Sequence, residues 1–195
     1  MASAAILAGG QARRFGGRDK SEVRIGGRRI LEHQLHELRQ LTDDILLVGA
    51  RPHEDIAGIH RVTDRVPDSG PLGGLDAALA AARDDCLIIV ACDMPFVTAA
   101  FLERLVALSD PVDAVVPRTE RGYHPLCAVY GRSCHPAVVR RLAERRLKML
   151  ELFEDLNVHV VGPEHVALYG GERLLANVNT PDELDNLQAL LGHEL

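Results

Sequence analysis

Nothing in this chain is long and apolar enough to cross a bilayer. The longest apolar run, "CLIIVAC" at 86–92, holds seven residues, where roughly 20 are needed. The opening, "MASAAILAGG", has no basic segment followed by a long apolar one, so no export signal is read there. The four cysteines, Cys86, Cys92, Cys127 and Cys134, form no Cys-x-x-Cys pair, which sets aside the common zinc patterns. Reduced thiols in a cytoplasmic setting are the expectation. An excess of basic charge is missing as well: the net charge is −6. Neither nucleic acid nor a membrane is therefore expected as a partner.

What the chain does have is the length and patterning for one core. Its 195 residues, 47% hydrophobic and 26% charged, suit a single domain spanning 1–195. Short β-rich runs are read as strands over 3–8, 44–49, 60–63, 86–92, 113–117, 126–130 and 157–161. Between them Leu31, Leu35, Leu38 and Leu41 fall on one helical face, and 74–82 and 99–108 read as further helices. The run 86–92 is apolar throughout, the pattern of a strand covered on both faces. This alternation predicts an α/β fold with a doubly wound, mostly parallel sheet. Near the end, Thr180, Pro181 and Glu183 form the capping box "TPDE" of a last helix, with Leu184, Leu187 and Leu191 on its buried face. Ligands of such sheets bind beyond the carboxyl ends of the strands, so chemistry is expected at 9–20, 64–74, 93–95 and 177–179.

The first of these segments is the most informative. "ILAGGQARRFGGRDKSE", 6–22, sets four glycines, three arginines and a lysine after a short apolar run. It is not a Walker A loop, because Asp19 and not glycine precedes Lys20, and it is not G-x-G-x-x-G. Its glycines allow backbone N–H groups to approach phosphate oxygens closely. Arg14 offers a planar fork and Lys20 a compact charge, which together suit a triphosphate. The window from Gly10 to Arg29 carries seven cations against two anions, +5, in a chain whose remainder is −11. A basic island in an acidic protein implies a local anionic ligand.

Three further segments follow strands. "TDRVPDSGPLGGLDAAL" places a Gly-Pro turn before a helix whose N-terminus can face a ligand. Asp64, at a strand end, can accept hydrogen bonds from a sugar or base. In "IIVACDMPFV" a buried strand ends in Asp93 and is stopped at Pro95. A carboxylate there suits Mg²⁺, which takes one or two carboxylates plus phosphates and water; it also suits the cap of a turn. In "ANVNTPDEL", Asn177 and Asn179 project to one side of an extended stretch, as ligand amides or as turn formers ahead of the helix. His33 and His36 lie off the leucine face and are read as solvated, and His124 is placed at a cleft. No Ser-His-Asp or Cys-His set stands out.

Taken in order, "LAGGQARRFGGRDK", "DRVPDSGPLGGL", "CDMP", "YHPLCAVY" and "NVNTP" resemble the molybdenum cofactor guanylyltransferases, the MobA family, from Ile6 to Leu191. The first and last motifs are the specific ones; "GPLGG" and "CDMP" are shared more widely among nucleotidyltransferases. The resemblance implies a Rossmann-like nucleotidyltransferase fold. It also implies a Mg²⁺-dependent reaction of GTP with molybdopterin phosphate, giving a guanine dinucleotide cofactor and pyrophosphate. On the matching positions, Leu7, Ala8, Gly9, Gly10, Arg14, Gly17 and Lys20 would hold GTP, and Asp64, Gly70 and Gly74 would shape the nucleotide site. Asp93 would bind Mg²⁺, with Arg14 and Lys20 as its catalytic companions, and Asn177 and Asn179 would sit near the pterin or the metal. Transient contact with cofactor-delivery proteins or molybdoenzymes is implied as well.

The chain departs from the family pattern at several places. Phe15 stands where Met is usual, and Ser21-Glu22 where small or apolar residues follow the lysine. "VGARPH" at 48–53 lacks an Asn that some members carry near Ala50, and Gly73 replaces a frequent Ala. Two other readings stay open at this point. One is a cytidylyltransferase, or another nucleotidyltransferase of the same fold. The other is a binding protein that carries the pterin or a nucleotide without reacting it.

Overall fold

The apolar runs of the sequence become the strands of a central sheet. The structure, a computed structural model, describes residues 1–8, 24–49 and 56–178. In chain order the strands are β1 (Ser3–Leu7), β2 (Arg24–Ile25), β3 (Arg28–Arg29), β4 (Ile45–Val48), β5 (Ile59–Val62), β6 (Cys86–Ala91), β7 (Ala114–Thr119), β8 (Gly122–Tyr123), β9 (Cys127–Gly131) and β10 (Val158–Val161). The main sheet runs β10-β7-β9-β6-β1-β4-β5, with β8 hung on β7, while β2 and β3 pair with each other. Strands β5, β4, β1 and β6 are mutually parallel. Strand β9 runs antiparallel between β6 and β7, and β10 is parallel to β7. The sheet is thus doubly wound and parallel on one half, and mixed on the other.

The helices are α1 (Ile30–Leu38), α2 (Gly70–Ala81), α3 (Ala99–Ala107), α4 (His135–Ala143), α5 (Met149–Leu152), α6 (Pro163–Ala167) and α7 (Gly171–Leu174). Side chains alternate across each strand, and the core divides accordingly. Ala4, Ile6, Ile88 and Val90 pack with α1, α3, α6 and α7 on one face. Ala5, Leu7, Leu87 and Ile89 pack with α2, α4 and α5 on the other. Each fully buried Leu or Ile contributes about 1.5–3 kcal/mol relative to exposure, so these two layers hold the sheet. Among the described residues no helix is long and apolar enough to cross a membrane.

Several elements differ from their sequence reading. Helix α1 ends at Leu38, and Leu41 lies in the turn that follows, its N–H bonded to the Leu38 carbonyl at 2.9 Å. Helix α2 begins at Gly70 and not at Gly74. Ser69 is its N-cap residue and Pro71 sits in the first turn, where a missing N–H costs nothing. A Cβ on Gly74 would lie 3.3 Å from Leu7 Cδ2 and 3.8 Å from Val48 Cγ1, so this glycine lets α2 lie close on β1 and β4. His33 is half-buried, with Nε2 3.0 Å from the Ile25 carbonyl, and so is only partly solvated; His36 is exposed. Helix α4 was not anticipated at all. The last helix, with its "TPDE" box, lies outside the described residues.

Candidate functional site

The register of the parallel strands builds an edge. Leu7 stands opposite Val48 on one side and Ala91 on the other, so the carboxyl ends of β1, β4 and β6 are level. The ladder runs one residue further. Ala8 N–H donates to the Val48 carbonyl (2.8 Å), Gly49 N–H to Val62 (3.0 Å) and Cys92 N–H to Leu7 (3.1 Å). From β1 the chain moves to β4 and β5 on one side, then returns to β6 on the other. The crevice between β1 and β6 is therefore the switch point, where such sheets bind ligands. Ala8 and the Cys92-Asp93 turn flank it.

The Asp93 turn is held from several directions. Strand β6 stops at Ala91, two residues short of Asp93, and Met94 N–H closes the turn on the Ala91 carbonyl at 3.2 Å. Ala91 N–H donates to the Leu126 carbonyl at 2.7 Å, and Val178 N–H donates to the carbonyl of Asp93 itself at 2.8 Å. That last bond brings Asn177-Val178 to "CDMP", Val178 and Asp93 being 85 residues apart in the chain. It sets the exposed Asn177 beside the Asp93 turn. From the helix layer, Gln34 Nε2 donates to the Ala91 and Met94 carbonyls at 2.7 and 3.0 Å. Glu37 Oε2 accepts from Ala99 N–H at 2.7 Å, capping α3 from another helix. The Arg173 guanidinium lies 5.2 Å from the centre of the Phe96 ring, a cation–π distance.

The opposite flank is the loop between β5 and α2. Asp64 lies two residues beyond β5 and is exposed; partial desolvation raises its pKa above the ordinary value. At 4.7–4.9 Å per strand, β5 is about 14 Å from β6, so Asp64 stands well to the β5 side of the β1–β6 crevice, away from Asp93. Asp68 and Gly70 have left-handed backbone, φ 53° and 56°. Gly70 lies about one helical turn beyond Gly74. The loop is anchored beneath: Arg65 approaches the buried Asp76 at 3.8 Å, and His135 Nε2 is 2.8 Å from the same carboxylate.

The predicted site residues thus fall into separate groups. Leu7, Ala8, Asp93 and Asn177 come together around the β1–β6 crevice, while Gly74 is buried in α2 against Leu7 of β1 and Val48 of β4. Asp64 and Gly70 stand on its flank. Gly9, Gly10, Arg14, Gly17, Lys20 and Asn179 lie outside the described residues. His124 lies half-buried in the turn between β8 and β9, where Nε2 is 2.9 Å from Thr119 Oγ1 and burial lowers its pKa. Gln34 and Glu37 were missed, since a polar residue on a leucine-faced helix carries no signal of a distant partner.

Among the described residues no group of three or more His, Cys, Asp or Glu side chains is placed to hold a metal. Among the described residues the donor beside the crevice is the hard carboxylate of the half-buried Asp93. That donor fits Mg²⁺, which keeps waters and takes substrate phosphates as its other ligands.

Residues 4–160 match the family model of the MobA-like NTP transferase domain. The chain is 32% identical over 190 residues to a molybdenum cofactor guanylyltransferase of Desulfosudis oleivorans, covering 95% of this chain and 94% of that protein. It is 35% identical over 203 residues to a probable molybdenum cofactor guanylyltransferase of Chloroflexus aggregans, covering 98% and 96%. Among solved structures, molybdopterin-guanine dinucleotide biosynthesis protein A from Archaeoglobus fulgidus superposes with a TM-score of 0.82 at 26% identity, over 99% of this chain and 100% of that one. The 2-C-methyl-D-erythritol 4-phosphate cytidylyltransferase of Thermus thermophilus, at 15% identity and TM-score 0.71 over 98% of this chain and 100% of that one, shares the fold.

Proposed function

The chain belongs to the family of MobA-like NTP transferase domains, and on that footing we propose that it transfers GMP from GTP to the terminal phosphate of molybdopterin, releasing pyrophosphate. The observation that carries this reading is the meeting of Ala8, Asp93 and the 177–178 backbone at one switch-point crevice. These belong to the start, middle and end of the motif series, which the fold gathers at one strand edge.

The chemistry asks little of a general base. A phosphate monoester has a second pKa of about 6 and is largely dianionic at pH 7. Its oxygen attacks the α-phosphorus of GTP, the α–β bridging bond breaks, and pyrophosphate leaves. The obstacle is the approach of two polyanions. In this reading Gly9, Gly10 and Gly17 offer backbone N–H groups to the phosphates, and Arg14 and Lys20 offset their charge. Mg²⁺, held by Asp93 and the triphosphate, would neutralise charge developing on the α-phosphate and the leaving pyrophosphate. Asn177 and Asn179 take the pterin side, while Asp64, Gly70 and Gly74 bound the nucleoside. The Leu7 carbonyl and the Ala8 N–H are engaged in the sheet, so guanine recognition falls to groups from the Ala8 carbonyl onward.

The test is pyrophosphate release from GTP, CTP, ATP or UTP with molybdopterin as acceptor, beside thermal shifts with each nucleotide and Mg²⁺. At about 100 times its Kd, a nucleotide adds roughly 2.7 kcal/mol of stability. Selective stabilisation and turnover with GTP is the expected result. Selectivity for CTP would move the product to the cytosine dinucleotide. Binding without pyrophosphate release would make the chain a carrier.

A further inference from the structure

We propose that Gln34, on α1, is a positioning residue for Asp93 and thereby sets how tightly the site couples metal to nucleotide. The inference rests on the reading of Asp93 as the Mg²⁺ ligand. The buried face of α1 is Ile30, Leu31, Gln34, Leu35 and Leu38. One carboxamide among four aliphatic side chains, 2% exposed, is costly to bury, and its Oε1 has no partner among the described residues, so what holds the side chain there is its Nε2. Its Nε2 donates to the Ala91 and Met94 carbonyls, which bracket Cys92 and Asp93. The carbonyls on entry to and exit from the turn are thus held by a single amide.

The rest of α1 extends the same grip. Glu37, three residues on, holds the far end of the loop through Ala99 N–H. His33 is bonded to the Ile25 carbonyl, in the strand that follows the glycine-rich segment. One helix therefore ties the exit of the triphosphate segment to the carboxylate turn. Ligand carboxylates must be held to within about 0.5 Å to act. With the amide removed, the turn keeps the 3.2 Å Met94–Ala91 bond and the Val178 contact, and loses its hold from the helix layer.

The readout is the factor by which Mg²⁺ tightens GTP binding, taken as the ratio of the GTP Kd in EDTA to that in excess Mg²⁺. Gln34→Met keeps length and volume but has no donor; Gln34→Leu serves if Met does not give folded protein. The expected result is a factor lowered about tenfold, the scale of an outer-shell loss, with GTP affinity in EDTA unchanged. Combined with Asp93→Asn, it should bring no further loss, because Gln34 acts through Asp93. A wild-type factor in Gln34→Met, alongside a lowered one in Asp93→Asn, overturns the inference and leaves the metal reading standing. So does a loss that adds to that of Asp93→Asn. An unchanged factor in Asp93→Asn overturns the metal reading, and the inference falls with it.

Discussion

At the scale of single residues, space decides as much as charge. A Cβ on Gly73 would lie 2.7 Å from Ser69 Cβ, closer than two carbons can approach. Ser69, the buried N-cap residue of α2, already fills the volume that an Ala at 73 would use. Gly73→Ala should therefore cost about 1–3 kcal/mol, the range for overpacking, read from urea unfolding. In a Ser69→Gly background most of that cost should vanish; an equal cost in both would place the strain elsewhere. His124 gives a second prediction at this scale. Burial holds its pKa below the ordinary value of about 6.5. The neutral ring bonded to Thr119 is stable above that value, and its contribution is lost as pH falls through the lower folded-state pKa. Stability measured from pH 7 to pH 5 should decline less steeply in His124→Gln than in the parent. The place of Asp93 just past the end of β6 was legible in the sequence, because a carboxylate closing an all-apolar run marks where the buried strand stops. Gln34 was not, since its partners are 57 and 60 residues away.

At the scale of elements, buried strands were legible and directions were not. Alternation and apolar runs located β1, β4 and β6 within a residue or two. Nothing in "LCAVY" distinguishes an antiparallel β9 from a parallel one, because side chains alternate equally in both. The start of α2 was hidden by Gly70 and Pro71, which read as a turn but occupy the first turn of the helix. Helix α4 was hidden by its charge. Arg141, fully buried, is hydrogen-bonded to Asp155 and Glu154 in the turn after α5, so a residue that looks solvent-facing belongs to the core layer. The hydrogen bond from Arg141 holds the Asp155 carboxyl below its ordinary pKa. This tie between α4 and the 153–155 turn is complete above the unfolded carboxylate value of about 4. It is lost as pH falls through the lower folded value. Arg141→Met should lower Tm at pH 7, and the gap from the parent should narrow as pH falls below about 4. A gap independent of pH would mean that the arginine acts by packing alone.

At the scale of the whole molecule, two properties follow from how charge and core are distributed. GTP is a polyanion approaching a chain of net charge −6 whose window 10–29 carries +5. Raising salt from 0.1 to 1 M shortens the Debye length from about 10 to about 3 Å. The GTP association rate from stopped-flow should fall over that range, and a flat response would remove the basic island from capture. The core makes the second claim. Strands β1 and β6 send alternate residues into both hydrophobic layers: Ile6 and Val90 to one, Leu7 and Ile89 to the other. Neither layer can melt without exposing half of each shared strand, so the two faces are one cooperative unit. The expected outcome is a single calorimetric transition whose enthalpy equals the van't Hoff value, moved upward as a whole by nucleotide. The crevice lies on the same two strands, so ligand bound there stabilises both layers at once. Two separable transitions, only one of them raised by GTP, would divide the chain into independent parts and confine the site to one of them.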